Sequence, residues 1–347
     1  MRQSKDFDVV VAYQRALTDE KYPHPVAAIL ALVELMEAST ATTLSGLAIE
    51  LFHGRQTLIA TQSSLGVRAG CQLWERFLAA SMDSGGEFTA YKRQLIQQGR
   101  SFCSVTAPQA RNKIAQQAVD FLRDDCVILT HSYSRTVIQT ILNAHKQHKR
   151  VSVYVTEARP GCLGQRTQQI LTSAGIPCEV VLDSAVGYVM ERVDMVLLGC
   201  EAVVESGALV SSVGTYQVAL VAKAMQKPVY ALAESYKFLR HYPLSQTDLP
   251  MPRDANKMPL ALPADIPTTP DHSHFRRPSA SQPPSGSVTP AGALAHTATP
   301  DLSKACMANQ PKFDVTFPQL VDFIITDLGT PLSPMSVSQY LVAQFSS

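Results

Sequence analysis

The sequence has no CxxC pair, and its seven cysteines (Cys71, Cys103, Cys126, Cys162, Cys178, Cys200 and Cys306) are scattered and odd in number. Metal-ligand spacing is missing, so no metal is expected. Cys126, Cys178 and Cys200 lie in or beside apolar strand-like segments. They read as small buried hydrophobes in a reducing cytosol rather than as redox groups. No run of about 18 apolar residues occurs, which excludes a transmembrane helix and leaves the membrane out as a partner. Met1-Arg-Gln-Ser-Lys-Asp-Phe-Asp is too polar to open a secretory signal, so a cytoplasmic protein is expected. Charge of one sign is also lacking. A formal net charge of +1 argues against electrostatically driven binding of nucleic acid by the chain as a whole.

What is present is length and ordinary hydrophobicity. A chain of 347 residues, 46% hydrophobic, can bury a sizeable core in one large domain or two. Residues 1–122 read as a helical N-terminal domain. Pro25–Met36 opens with proline, tolerated in a first helical turn, and repeats its apolar positions at helical spacing. Further helical stretches are Leu44–Thr61, Gly70–Met82, Phe88–Ser101 and Pro108–Leu122, with connections at Ser39–Thr43 and Ser84-Gly85-Gly86.

Residues 123–347 alternate strand and helix. Strands are predicted at Cys126–Leu129, Val151–Val155, Cys178–Leu182, Met195–Leu198 and Val229–Leu232, and helices at Thr136–His148, Gln165–Ala174 and Gln217–Met225. A Pro/Ser/Thr-rich stretch at about 250–311 interrupts this pattern. It cannot bury enough apolar surface to offset its ordering entropy and reads as a disordered insertion. Leu320–Thr326 then supplies one more strand and Ser336–Gln344 a closing helix. The whole is an α/β protein, with a doubly wound, mostly parallel, Rossmann-like sheet covered on both faces.

In such a sheet the strand ends share one edge, where ligands bind. Two ends stand out. Cys126–Arg135 runs from an apolar strand into Thr130, His131, Ser132, Tyr133, Ser134 and Arg135. Val196–Thr215 runs through Gly199 and Glu201 to Gly214 and Thr215. Other strands contribute Thr156, Glu157 and Arg159, Asp183 and Ser184, Glu234 and Ser235, and Thr326 and Asp327. The ligand-site candidates are Thr130, Ser132, Tyr133, Ser134, Arg135, Asp183, Glu201, Gly214 and Thr215. Ser132, Ser134 and Asp183 suit helix capping as well. A Ser132–His131 dyad is not expected, because adjacent strand residues face opposite ways. Glu201 after an apolar strand needs a partner or water, and Arg135 and Arg159 are the candidates. Gly214 and Thr215 precede a helix and could offer N–H groups to a phosphate.

These segments carry a resemblance. Ile128-Leu-Thr-His-Ser-Tyr-Ser-Arg135, Val151–Glu157, Val181–Glu191, Ala233-Glu-Ser-Tyr-Lys-Phe238 and Ile325-Thr-Asp-Leu-Gly329 closely resemble the alpha-subunit family of eukaryotic translation initiation factor 2B. The likeness spans nearly the whole chain outside the insertion. It implies a non-catalytic regulatory subunit of the guanine nucleotide exchange factor for initiation factor 2. The implied partners are a second copy of the chain, the beta, delta, gamma and epsilon subunits, and the phosphorylated alpha subunit of initiation factor 2. The helical zone would supply much of the last contact.

The wider family includes isomerases of methylthioribose 1-phosphate and ribose 1,5-bisphosphate. By that resemblance they carry a cysteine where this chain has Ser132, an aspartate where it has Glu201, and Asn-Lys where it has Ser211-Ser212. Their Arg-Gly-Ala-Pro motif has no counterpart here. A thiol with a pKa of about 8.5 exchanges protons near neutrality, whereas a serine needs an adjacent base. Glutamate shifts the carboxylate by one methylene, and about an Å of misplacement costs roughly a hundredfold in rate. No catalytic residue and no cofactor are therefore expected. A retained sugar-phosphate pocket is, although the absence of Asn-Lys removes one phosphate contact. The alternative functions are a sugar-phosphate isomerase and a sugar-phosphate sensor using this pocket.

Overall fold

Helices fill the first third of the chain, in a computed structural model that describes residues 7–19, 22–81, 87–249 and 310–345. Helix α1 (Val9–Thr18) starts at Asp8, whose carboxylate accepts from the N–H groups of Val10 and Val11. It was not anticipated. Then follow α2 (His24–Ala38), α3 (Leu44–Thr61), α4 (Leu65–Ser81) and α5 (Phe88–Ser101). A π-helical turn at Phe102–Thr106 joins α5 to α6 (Ala107–Val119). Helix α4 begins five residues before its predicted start. Helix α2 is apolar without interruption from Pro25 to Val33, and such a stretch belongs in an interior. Pro25 to Val33 is buried without a break, and α1, α3, α4 and α5 pack around it.

The sheet region begins with β1 (Cys126–His131), α7 (Arg135–Lys146), β2 (Val151–Thr156), α8 (Gly164–Ser173), β3 (Cys178–Val181), α9 (Val186–Met190) and β4 (Met195–Gly199). It continues with β5 (Ala202–Val204), β6 (Leu209–Ser212), α10 (Thr215–Ala224), β7 (Val229–Leu232) and β8 (Phe238–Leu239). The last elements are β9 (Phe313–Thr316), β10 (Phe323–Ile325) and α11 (Val337–Phe345). Six strands in the order β10-β7-β4-β1-β2-β3 form a wholly parallel sheet. Successive side chains of a strand face opposite ways. Ile128, Met195 and Leu197 accordingly pack with residues of α6, α7 and α8. Leu129, Val196 and Leu198 pack with residues of α9, α10 and α11. Both faces are covered, which is why these strands read as unbroken apolar runs.

The chain winds outward from β1 in two directions, to β2 and β3 and then to β4, β7 and β10. The reversal falls between β1 and β4, which pair Ile128 with Met195, Leu129 with Val196 and Thr130 with Leu197. The two strands singled out in the sequence are thus neighbours. A second sheet, β8-β5-β6-β9, was not anticipated. Its strands pair antiparallel at β5–β6 and β6–β9 and parallel at β5–β8. All these elements belong to one unit, Met1–Lys257 with Pro311–Ser347. All but the last two residues of the predicted insertion at about 250–311 lie outside the described residues, as does Ser84-Gly85-Gly86.

The cysteines are free thiols among the described residues, with Cys71, Cys103, Cys126 and Cys200 buried. Burial pushes Cys71, Cys103 and Cys200 up to about 12, out of the nucleophilic range.

Candidate functional site at the strand reversal

A cavity of about 400 Å³ opens where β1 and β4 end. Its walls converge for steric reasons. Ser132 takes a left-handed backbone, φ 61°, and turns the chain out of β1. Ser134 then caps α7, its Oγ accepting from the Val137 N–H at 3.4 Å. Gly199 closes β4 against that serine. A Cβ at Gly199 would lie 2.2 Å from Ser134 Oγ, so only glycine lets the two ends meet.

Six of the nine candidate residues line the cavity: Ser132, Tyr133, Ser134, Arg135, Glu201 and Thr215. The other three are placed elsewhere. Thr130 is buried in β1 between β2 and β4. Asp183 accepts from the N–H groups of Ala158 and Arg159 at 2.9 and 2.8 Å, and so ties down the loop after β2. Gly214, at φ 104°, is pressed against the His131 ring and gives its N–H to Asp314.

That last bond corrects an expectation. The N-terminus of α10 was read as a phosphate seat, but Asp314 of β9 sits there. Its Oδ2 accepts from the Gly214 N–H at 2.7 Å and the Tyr216 N–H at 3.0 Å. Thr215 turns its hydroxyl to the Ser212 carbonyl at 2.6 Å. A helix N-terminus offers free N–H groups, and the fold supplies its own acceptor for them. Burial, partly offset by those N–H groups, raises the Asp314 carboxyl to about 7.

The cavity lining carries three cationic side chains, Arg135, Arg166 and Lys237. The Arg166 guanidinium lies over the Tyr133 ring, 4.5 Å from its centroid. Burial and the like charge of Arg111 hold Arg135 below its ordinary range. Lys237 donates to the Cys200 carbonyl at 2.9 Å and pairs with buried Glu234 at 2.8 Å. Glu234 also accepts from the Thr136 hydroxyl at 2.7 Å and stands 3.7 Å from Arg111 Nε. Burial works to raise the Glu234 carboxyl, but Lys237, Arg111 and Thr136 overcome it and hold it at about 2.

The lining also carries Glu201, Ser211, Ser212 and Thr215. Glu201 was expected to pair with Arg135 or Arg159. Its bonded partner is instead Ser64, just before α4, whose hydroxyl donates to Oε1. Arg159 pairs with Glu157 at 3.2 Å. Tyr22, Pro23, His24 and Pro25 also line the cavity, with His24 Nδ1 bonded to the Tyr13 hydroxyl at 2.7 Å. Sequence reasoning missed Arg166, Lys237, His24 and Ser64. Lys237 alone had a signal, three residues past the strand-end Glu234.

His131 offers no base to Ser132. Its Nε2 faces the Val213 carbonyl at 3.0 Å, and a carbonyl only accepts, so Nε2 carries the hydrogen. Its Nδ1 is 2.6 Å from Thr156 Oγ1 and accepts from it. Burial lowers the imidazole, which keeps it neutral. Among the described residues, no group of three or more His, Cys, Asp or Glu side chains could hold a metal ion, and no helix is long and apolar enough to cross a membrane.

Comparison with known proteins agrees with this architecture. The initiation factor 2 subunit family model matches residues 18–332. The chain is 37% identical over 251 residues to the translation initiation factor eIF2B subunit alpha of Dictyostelium discoideum, covering 71% of this chain and 78% of that one. It is 37% identical over 158 residues to the ribose 1,5-bisphosphate isomerase of Archaeoglobus fulgidus, covering 45% of this chain and 50% of the isomerase. Its fold is similar to a chain of the tetrameric eIF2B-beta2-delta2 complex from C. thermophilum, with a TM-score of 0.67, 17% identity and coverage of 97% and 92%. With its strand order, its switch-point cavity and a match over most of its length, the chain belongs to the initiation factor 2 subunit family.

Proposed function

We propose that the chain is a non-catalytic regulatory subunit of the guanine nucleotide exchange factor for translation initiation factor 2. The observation that carries this reading is the likeness to a eukaryotic alpha subunit over 71% of the chain. The site chemistry supports it. A serine hydroxyl needs a base to act as nucleophile or acid, and the adjacent His131 has both ring nitrogens engaged. In this reading the protein is cytoplasmic, forms a homodimer and bridges the two halves of the exchange factor. It meets the beta, delta, gamma and epsilon subunits, with the sheet region at 123–347 carrying the dimer. The helical region at 1–122 helps sense the phosphorylated alpha subunit of initiation factor 2 during stress. Native mass spectrometry of the chain alone and with the other four subunits is the test. A dimer that joins them is expected; a strict monomer that never joins them would refute the reading.

The cavity favours a second role in the same protein, as a sugar-phosphate sensor. Three cationic side chains share a cavity of about 400 Å³ with a carboxylate and several hydroxyls, a set of groups suited to a sugar phosphate. Lys237, from a different strand end, provides an ammonium in the cavity of a chain that has Ser211-Ser212 in place of Asn-Lys. Thermal denaturation with added sugar phosphates tests this role. A rise in Tm without turnover of ribose 1,5-bisphosphate is expected, and turnover abolished by Glu201→Gln would make the chain an isomerase instead.

A further inference from the structure

The Glu201–Ser64 bond joins the cavity to a helix that does not line it. The two residues are 137 positions apart, and Glu201 is fixed at its backbone by an N–H bond to the Val210 carbonyl at 2.8 Å. Ser64 Oγ also accepts from the Gly66 N–H at 3.2 Å, so the same hydroxyl shapes the start of α4. The first turn of α4 is packed tightly there. A Cβ at Gly66 would lie 3.2 Å from Glu201 Oε1, 2.9 Å from Pro25 Cδ and 3.1 Å from His24 Cβ. Pro25 and His24 themselves line the cavity. One carboxylate thus meets the cavity, the start of α4 and, through α4, the start of α2.

We propose that Ser64 is a positioning residue: by holding Glu201 Oε1 it sets the carboxylate to accept a sugar hydroxyl, and it couples ligand occupancy to the docking of α4. The inference rests on the sugar-phosphate role proposed above. A carboxylate has about four acceptor positions, so Glu201 can keep Ser64 and take a ligand hydroxyl at once. Each bond then fixes the side chain for the other, and the coupling is reciprocal: ligand stabilises the first turn of α4, and docked α4 improves ligand binding. The phosphate end of the ligand belongs to Arg135 and Arg166, which come from α7 and α8 rather than from the Glu201 segment.

That separation supplies the test. Binding is measured by thermal shift and calorimetry on the full chain, with glucose 6-phosphate, fructose 6-phosphate and ribose 5-phosphate, and with inorganic phosphate as a probe of the cationic side chains alone. Ser64→Ala is expected to weaken sugar-phosphate binding about tenfold, the loss of one hydrogen bond's orientation, while inorganic phosphate binding is unchanged. Ser64→Thr, which keeps the hydroxyl, restores the affinity. Hydrogen exchange in residues 65–70 slows on adding sugar phosphate to the wild type but not to Ser64→Ala. Equal weakening for sugar phosphate and inorganic phosphate would reduce Ser64 to a structural residue and overturn the proposal. Full sugar-phosphate binding by Ser64→Ala, or unchanged exchange in the ligand-bound wild type, would do the same while leaving the sensing role intact. If no sugar phosphate binds the wild type at millimolar concentration, the sensing role itself fails and this inference with it.

Discussion

Glu234 and Asp314 are both buried carboxylates beside the same cavity, and they are held by opposite means. Glu234, just past β7 of the parallel sheet, meets Lys237, Arg111 and the Thr136 hydroxyl, and stays ionised down to about 2. Asp314, on β9 of the second sheet, meets the N–H groups that open α10, and burial raises it to about 7. A helix end offers only partial charge, roughly half an elementary charge, whereas Lys237 and Arg111 offer whole ones. The difference teaches which side of the cavity can hold a ligand's charge. The parallel-sheet side also places Arg135 and Arg166 in the cavity lining. The N-terminus of α10 is already filled by Asp314.

The sharpest way to break the comparison is to remove Glu234. Glu234→Ala would leave the Lys237 ammonium buried beside a carbonyl with no counter-charge. A loss of about 3–5 kcal/mol in urea denaturation is expected. Adding Lys237→Met should recover much of it, since a buried pair replaced by apolar groups is often neutral. A Glu234→Ala protein as stable as the wild type would mean that the pair is not a structural anchor. A smaller effect is expected where the two strand ends touch. Gly199→Ala must displace Ser134, whose side chain occupies the space, at a cost of about 1–3 kcal/mol. Calorimetric unfolding with no change in Tm would show that the β1 and β4 ends are looser than this contact implies.

The same contrast explains what was legible in the sequence. The central parallel strands announced themselves because both faces are buried, and the order of helices and strands then placed the strand ends on one edge. Ser132, Ser134 and Glu201 followed from topology alone. The second sheet gave no such signal. Its strands are two to four residues long, and β9 pairs with β6 from about a hundred positions away. Asp314 was invisible for that reason, and with it the occupant of the α10 N-terminus. Helix α1 opens with Val9-Val-Val, a β-branched start that obscures its helical face. Arg166 and Lys237 lie past the strand ends, on α8 and in the turn before β8, where only three-dimensional folding brings them in. Ser64 and His24 come from the helical region, so no reading of strand ends could have found them.

The finest test of the comparison is pH. Glu234 is depressed from 4.5 to about 2, so the folded state binds its proton less tightly than the unfolded chain. Its contribution is complete above about 4.5 and is lost as pH falls from there toward 2. Asp314 is raised from 3.8 to about 7, so the folded state binds its proton more tightly. Its effect has the opposite sign: stability falls as pH rises from about 4 to about 7. Asp314→Asn copies the neutral form and keeps an oxygen for the Gly214 and Tyr216 N–H groups. It should therefore leave stability near pH 5 almost unchanged and raise it at pH 8. Urea denaturation of both proteins across that range measures the difference. A loss at pH 8 would mean that the charged carboxylate is well paid by the helix end after all, and the two carboxylates would then be alike in being held charged.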